Sequence, residues 1–221
     1  MAIDESVLNA FIERTAVTAR VPDAKALTAE WLVMTTVADW HTLALKATGH
    51  LVAAIPADRW HAATPCAGWD VRGLVSHLVS GNVWAAELGA GGTIEDVGDR
   101  LDGDLLGADP VGAYAASAMA ASDVFHRPGA LGAPCAVSYG PVPGSVYAGH
   151  RLIDVLIHGW DLATATGQDA TLDNGLVEAC RKVTEPQIDM LRASGAFAEG
   201  RPVAADASAQ ARLLAMLGRR G

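Results

Sequence analysis

The sequence predicts an all-α protein, and its composition is the first reason. The 221 residues are 51% hydrophobic, 19% charged and only 5% aromatic. Ala, Leu and Val supply most of the apolar content, and Ala and Leu are strong helix formers. The second reason is the spacing of apolar residues, which follows helical periodicity between breaks rich in Pro and Gly. Together these features favour packed helices over a sheet sandwich.

In the first half of the chain, capping residues and breaks mark three helices. A first helix is predicted over residues 4–19 and a long one over residues 24–55, with a bend near 35–36. Asp70 caps a third helix that ends near Leu88. This helix places apolar side chains on one face, namely Val71, Leu74, Val75, Leu78 and Val79.

The second half begins with residues 89–109, whose Gly and Asp content predicts a mobile surface loop. A helix follows over 110–125. Residues 135–144 contain too many Pro and Gly for a helix and predict a short extended segment or hairpin. Further helices are predicted over 145–166, 173–194 and 205–217, with Gly167 ending the first and Pro186 kinking the second.

The helix over 145–166 carries the most informative pattern. Its apolar run is long enough to be buried on every side, but Asp154 and His158 interrupt it. Side chains four residues apart leave a helix from one face. A carboxylate and an imidazole among aliphatic side chains need partners. Two interpretations stay open: the two residues hydrogen-bond each other, or both bind a metal ion.

His77 lies on the helix that Asp70 caps, one turn from Gly73 on one side and Gly81 on the other. Two glycines inside a helix carry an energetic cost, about 1 kcal/mol each relative to alanine. They leave room either for a ligand above the imidazole or for close packing of another helix. In the second case His77 is an ordinary hydrogen-bonded core residue.

His77, Asp154 and His158 together make a set of two histidines and one carboxylate. Three protein ligands with one open position are typical of catalytic zinc, although such a set also suits Fe(II), Ni(II) or Co(II). His150 and Asp161 lie near the same stripe and are candidates to orient a ligand by hydrogen bonding. For His150, an exposed position at the helix start is the favoured interpretation.

Cys66 and the tryptophans are weaker candidates. Cys66 is either a nucleophile, a fourth ligand or a small buried hydrophobic residue, and the last is favoured. Four tryptophans could form pocket walls or simply belong to the core: Trp60, Trp69, Trp84 and Trp160. The sequence contains no dinucleotide-binding, P-loop, nucleophile-elbow or HExxH motif.

Charge and cysteine content narrow the class of protein. The net charge of −9 argues against a nucleic-acid surface, which needs clustered Lys and Arg. Three scattered cysteines without CxxC spacing suggest a reducing compartment. The acidic, amphipathic N-terminus is unlike a signal peptide, and no apolar stretch reaches the ~18 residues of a membrane span. We therefore expect a cytoplasmic protein that acts on a small molecule, with neither nucleic acid nor membrane as partner.

Three stretches resemble the DinB-like metal-binding superfamily: TPCAGWDVRGLVSHLV, RLIDVLIHGWDLATATG and ASAQARLLAMLGR. The most similar branch contains the N-terminal domain of mycothiol-dependent maleylpyruvate isomerase. The resemblance covers about residues 36–219. It implies a DinB-like four-helix bundle over 36–221 with additional N- and C-terminal helices, and residues 1–35 are then a helical extension.

The resemblance also implies a divalent metal, usually zinc, at one end of the bundle. His77 matches the first ligand of the family, Asp154 its carboxylate ligand and His158 its second histidine. Characterised members use the metal to activate a low-molecular-weight thiol such as mycothiol, for transfer or isomerisation. Maleylpyruvate isomerase has a further C-terminal domain with no counterpart in this sequence, so maleylpyruvate itself is not the expected substrate.

We therefore expect a metal-dependent enzyme that activates a thiol for reaction with a small electrophile. A thiol-independent isomerase, cyclase or hydrolase that uses the metal as a Lewis acid is an alternative. A metal-binding module without turnover is another. The oligomeric state stays open, and an oligomer is compatible with the sequence.

Overall fold

The structure is a computed structural model that describes residues 36–193 and 197–220. The helix predicted over 4–19 lies outside the described residues, as do the beginning of the helix predicted over 24–55 and the whole extension over 1–35. Ser194, the predicted end of another helix, also lies outside them.

The described chain is mainly helical, as the composition predicts, with one small antiparallel sheet. Its elements in chain order are α1 Val37–Ala53, α2 Val71–Gly89, α3 Ile94–Val97, α4 Pro110–Phe125, β1 Pro134–Val137, β2 Gly140–Pro143, α5 Gly144–Thr166, α6 Asn174–Thr184, a 3-10 turn Glu185–Gln187, α7 Ile188–Ala193 and α8 Ala209–Met216.

Helix α1 begins at a capping box, which corrects the prediction of one helix through residues 24–55. Thr36 has extended dihedral angles, φ −80° and ψ 167°, so no helix continues through it. Its backbone N–H donates to the Asp39 carboxylate at 2.7 Å, and its hydroxyl accepts from the Asp39 N–H at 3.3 Å. The predicted bend near 35–36 is therefore a helix start.

Residues 89–109 differ from the predicted loop. Thr93 and Asp96 form a second capping box that starts α3, and the side chains of Val97 and Leu106 are buried. These two apolar anchors hold the segment against the core. The loop prediction considered only the Gly and Asp content and missed both signals.

The remaining boundaries follow local signals. Asp70 caps α2 by accepting from the Gly73 N–H at 2.7 Å, as predicted. The predicted hairpin is present as β1 paired with β2, and the Pro186 kink is the 3-10 turn between α6 and α7. The last helix begins later than predicted because Ser208, rather than a residue near 205, caps α8.

The four long helices pack in a closed ring. Helix α1 contacts α4 and α5, and α2 contacts the same two helices. Helix α5 is buried along most of its length, which confirms the prediction from its apolar run. Its fully buried aliphatic side chains include Leu152, Ile153, Val155, Leu156, Ile157 and Leu162. Within the described ranges, no helix is both long and apolar enough to cross a membrane.

Candidate metal centre

Helices α2 and α5 bring His77, Asp154 and His158 together. The Nε2 atom of His77 lies 3.2 Å from Oδ1 of Asp154, and Nε2 of His158 lies 3.4 Å from the same oxygen. One ligand-type atom from each residue falls within a cluster whose members are all within 4.8 Å of one another. His158 is buried, with 7% of its surface exposed, whereas the other two are partly exposed.

These spacings fit a small tetrahedral cation. Tetrahedral bonds of about 2.1 Å place neighbouring donor atoms about 3.4 Å apart. The two nitrogen–oxygen distances, 3.2 and 3.4 Å, are close to that value. A direct Asp154–His158 hydrogen bond would be long at 3.4 Å. The two distances to Asp154 Oδ1 are therefore compatible with a divalent cation, and the 3.2 Å distance from His77 also suits a direct hydrogen bond.

Arg151 completes the site, and it was not among the residues predicted from the sequence. Its guanidinium is buried, with Nη1 donating to Asp154 Oδ2 at 2.9 Å and Nη2 donating to Asn82 Oδ1 at 3.3 Å. A cation three residues before a buried carboxylate was the available signal, because i and i+3 side chains share a helix face.

The two glycines that bracket His77 have different neighbours. A Cβ atom at Gly81 would lie 2.4–2.6 Å from atoms of the Arg151 guanidinium, so Gly81 provides the space that this side chain fills. A Cβ atom at Gly73 would lie 3.3 Å from an Asp70 carboxylate oxygen and 3.7 Å from Trp69 Cβ. The room next to Gly81 therefore holds the Arg151 side chain from helix α5.

Asp161 orients His158 from the opposite side. Its Oδ2 lies 3.0 Å from His158 Nδ1, and the carboxylate is fully buried. A carboxylate on Nδ1 fixes the tautomer that presents the Nε2 lone pair to a metal. Asp161 thus has the position expected of a residue that orients a ligand.

His150 lies elsewhere. Its Nδ1 contacts the Tyr139 hydroxyl, and its Nε2 lies 2.6 Å from Gln187 Oε1. Both ring nitrogens are therefore engaged near the hairpin and the 3-10 turn. The hydrogen bonds of His150 give no support to a role in orienting a metal ligand.

Arg219, beyond the end of α8, binds Asp161 with two nitrogens. Its Nε donates to Asp161 Oδ1 at 3.0 Å and its Nη2 donates to Oδ2 at 2.8 Å. Gly218, with φ 78°, ends the helix, and the Arg219 N–H donates to the Leu214 carbonyl at 2.8 Å. This Schellman turn directs Arg219 back towards α5.

Cys66 is half-buried and lies beside the same groups. Its Sγ donates to Asp161 Oδ2 at 3.0 Å, accepts from Arg219 Nη2 at 3.3 Å, and lies 3.5 Å from His158 Nδ1. Cys66 packs against the hydrophobic core, in line with the favoured interpretation, but its sulfur also contacts polar groups that this interpretation did not include. The irregular segment before α2 brings it into a polar cluster, and this placement depends on the tertiary fold.

Cys66, His158 and Asp161 form a second group with metal-ligand atoms close together. The Arg219 guanidinium already neutralises Asp161 in this group and contacts the sulfur. Arg219 thus contacts two of the three ligand groups of this set and would repel a metal ion there, whereas Arg151 contacts only one ligand of the other set, Asp154. The set of His77, Asp154 and His158 is therefore the better candidate.

Trp69 forms one wall of the site. Its ring stacks on His77, with centroids 4.5 Å apart and planes inclined by 29°, and 39% of its surface is exposed. The other three candidate tryptophans pack with the core: Trp160 is buried, and Trp60 and Trp84 are partly buried.

Charge pairing keeps the carboxylates ionised. Burial alone would raise the pKa of Asp154, but the Arg151 guanidinium and the His158 imidazole hold it well below its usual range. For Asp161 too, burial acts against ionisation, and hydrogen bonds from His158 and Arg219 lower its pKa overall. Asp154 is therefore a carboxylate at neutral pH, the form that binds metal.

Comparison with known proteins adds the family. Residues 41–163 match the family model of the mycothiol maleylpyruvate isomerase N-terminal domain. Two uncharacterised proteins from two strains of Mycobacterium tuberculosis, CDC 1551 and H37Rv, are each 37% identical over 188 residues. These alignments cover 81% of this chain and 95% of each relative. No solved structure gives a significant match.

The matched range contains the three candidate ligands and Arg151, Asp161 and Cys66, whereas Arg219 lies beyond it. The chain therefore belongs to the mycothiol maleylpyruvate isomerase N-terminal domain family, a family of DinB-like domains.

Proposed function

We propose that this protein is an enzyme that binds one divalent cation, zinc in the first place, through His77, Asp154 and His158. The cation lies at one end of a DinB-like four-helix bundle and activates a low-molecular-weight thiol of the mycothiol type. The activated thiol is transferred to a small electrophilic metabolite or promotes its isomerisation. The observation that carries the proposal is the spacing of the three donor atoms, with both histidine nitrogens facing one carboxylate oxygen.

Zinc, when bound, lowers the pKa of a coordinated thiol and so supplies the thiolate nucleophile. The chain itself prepares the site. Asp154 offers Oδ1 while Arg151 engages its other oxygen. Asp161 accepts a hydrogen bond from Nδ1 of His158, so that the lone pair on Nε2 is available to a metal ion. Trp69 stacks on His77 and forms one side of the site.

Three protein donors leave one position for an exogenous ligand. The description of the matched family names mycothiol, and the three cysteines of this chain are all free. A thiol cofactor and free cysteines both suit a reducing compartment, so we propose a cytoplasmic location. The net charge of −9 favours a small-molecule substrate over nucleic acid.

The first test is the metal content of purified protein, measured by elemental mass spectrometry. We expect about one equivalent of zinc per chain in the wild type and a large loss in His77→Ala and Asp154→Ala, since each variant removes one of three ligands. His126→Ala is the matched control, because His126 pairs with Asp39 on the surface. Wild type that holds no metal after reloading would refute the proposal.

The second test concerns the thiol. Cobalt-substituted protein titrated with mycothiol should develop a thiolate-to-cobalt charge-transfer absorption, and thiol adducts of reactive electrophiles should form only with metal-loaded enzyme. A folded, metal-free His158→Ala protein with full activity would contradict this mechanism. Equal turnover without any thiol would instead support Lewis-acid catalysis.

A further inference from the structure

The two oxygens of Asp154 face different groups. Oδ1 lies 3.2 Å from His77 Nε2 and 3.4 Å from His158 Nε2. Oδ2 accepts a hydrogen bond from Arg151 Nη1 at 2.9 Å. One oxygen of the carboxylate therefore faces the candidate metal position, and the other binds a buried cation.

Arg151 is held in place by its surroundings. Only 7% of its surface is exposed, and its Nη2 donates to Asn82 Oδ1 at 3.3 Å. Asn82 is itself buried and donates to the Ser117 hydroxyl at 3.3 Å. The guanidinium fills the space beside Gly81, where any Cβ atom would approach it to 2.4 Å. This combination fixes the direction from which Arg151 reaches Asp154.

The different partners of the two oxygens matter because a carboxylate can bind a metal through one oxygen or through both. Binding through both oxygens would take the fourth position and leave an exogenous ligand only a fifth, more weakly held one. A charge-assisted hydrogen bond to one oxygen opposes this, since the oxygen would have to exchange a buried guanidinium for the metal.

We propose that Arg151 is a positioning residue that keeps Asp154 a one-oxygen ligand and so leaves the fourth metal position free. Gly81 also contributes, because a side chain at this position would occupy the space that the Arg151 guanidinium fills. This inference rests on the proposed metal ligation by His77, Asp154 and His158, and it explains how the site retains a vacancy for the thiol.

The test uses the full chain loaded with Co(II), whose visible absorption is strong in four-coordinate sites and weak in five-coordinate ones. Arg151→Gln and Gly81→Ala should keep one cobalt per chain but lose much of this absorption, as Asp154 binds through both oxygens and a water molecule becomes the fifth ligand. Azide serves as a simple anionic probe of the open position. Its affinity should fall about tenfold or more in both variants, a typical effect of removing a partner of a metal ligand.

Two controls make the test specific. Gly132→Ala adds the same methyl group outside the site, where its nearest neighbour is the Gly129 carbonyl oxygen at 3.7 Å, and should leave the cobalt spectrum unchanged. Arg151→Lys keeps the charge with one compact donor group and should restore the spectrum only in part, because it cannot span Asp154 and Asn82 as the guanidinium does.

Unchanged cobalt absorption and azide affinity in folded Arg151→Gln and Gly81→Ala proteins would overturn the inference. Folded variants that no longer retain cobalt would also overturn it, since Arg151 would then serve metal retention. Failure of the proposed function has a different signature: wild-type protein that binds no metal, or binds cobalt and azide but no thiol.

Discussion

At the scale of single residues, His158 is the centre of the site because each of its two ring nitrogens faces a different carboxylate. Nε2 faces Asp154 and Nδ1 faces Asp161. Behind each carboxylate lies an arginine, Arg151 for Asp154 and Arg219 for Asp161. Each buried negative charge is thus paired, which is the condition for keeping ionised groups inside a protein.

Replacing Asp161 should weaken metal binding without removing a ligand. We expect Asp161→Asn to lower zinc affinity about 10–100-fold, because Nδ1 of His158 loses its carboxylate partner. Competition with a chromophoric zinc chelator measures the change, and Asp102→Asn, at an exposed position, is the matched control. The same zinc affinity in Asp161→Asn and wild type would contradict the orienting role.

His41 on α1 makes the stability dependent on pH. It is fully buried, neither ring nitrogen has a hydrogen-bond partner among the described residues, and it packs edge-on against Phe125. Burial, together with the nearby Arg151 cation, lowers the pKa of His41 to about 3. In the unfolded state this histidine has an ordinary pKa near 6.5, so the unfolded state binds more protons than the folded state between pH 6.5 and 3. The free energy of unfolding therefore decreases as the pH is lowered through that range.

We expect the free energy of unfolding to fall by up to about 1.4 kcal/mol per pH unit from this residue below pH 6. His41→Leu should remove this contribution and show a shallower decline. Urea denaturation at pH 7 and pH 5 measures both proteins, with His50→Ala as a control at an exposed histidine. An equal decrease in the free energy of unfolding from pH 7 to pH 5 in wild type and His41→Leu would show that His41 does not become protonated on unfolding.

At the scale of elements, short capping signals set where helices begin and end, and one helix end also serves the site. The Schellman turn after α8 places Arg219 against Asp161. The turn needs Gly218, whose φ of 78° disfavours a side chain and whose Cβ would lie 2.7 Å from Ala198 Cβ. The last helix is therefore linked to the candidate metal centre through a single residue.

Gly218→Ala should destabilise the protein by about 1–2 kcal/mol through backbone strain, with a further loss from the clash and the displaced Arg219. Gly129→Ala is the matched control, since Gly129 has φ 79° but open space around its Cβ position. Denaturant unfolding should rank Gly218→Ala as the less stable of the two. Equal stabilities would mean that neither the clash nor Arg219 contributes.

At the scale of the whole molecule, the site joins two helices of the four-helix ring. His77 comes from α2, and Asp154 and His158 come from α5. A ligand that binds only the folded state stabilises it by mass action, by about 4 kcal/mol at a thousandfold excess over its dissociation constant. A metal at this position would therefore hold α2 and α5 together.

We expect chelation of the metal to lower the melting temperature of wild-type protein by several degrees, and zinc to restore it. His77→Ala should melt at the lower temperature whether or not zinc is present. Circular dichroism at 222 nm follows both transitions. A wild-type melting temperature that ignores zinc and chelator alike would argue against a metal that links the two helices.

What the sequence determined by itself is the part governed by neighbours along the chain. Asp70 capping α2, Gly167 ending α5, the hairpin and the Pro186 break are all local effects, and each was predicted. The three candidate ligands were also identified from local patterns. Asp154 and His158 are polar residues in an apolar run, and His77 lies between two glycines on its helix. Their metal binding stays a prediction.

Only the tertiary structure decided which distant groups surround those residues. Arg219 is 58 positions from the Asp161 that it binds, and Cys66 is 153 positions from the Arg219 that contacts its sulfur. No periodicity relates such pairs, because their meeting depends on how the helices pack and where an irregular segment runs. For the same reason the sequence did not show that Arg151 reaches Asn82, 69 positions away, although its pairing with Asp154 is local and Gly81 marks the space that it fills.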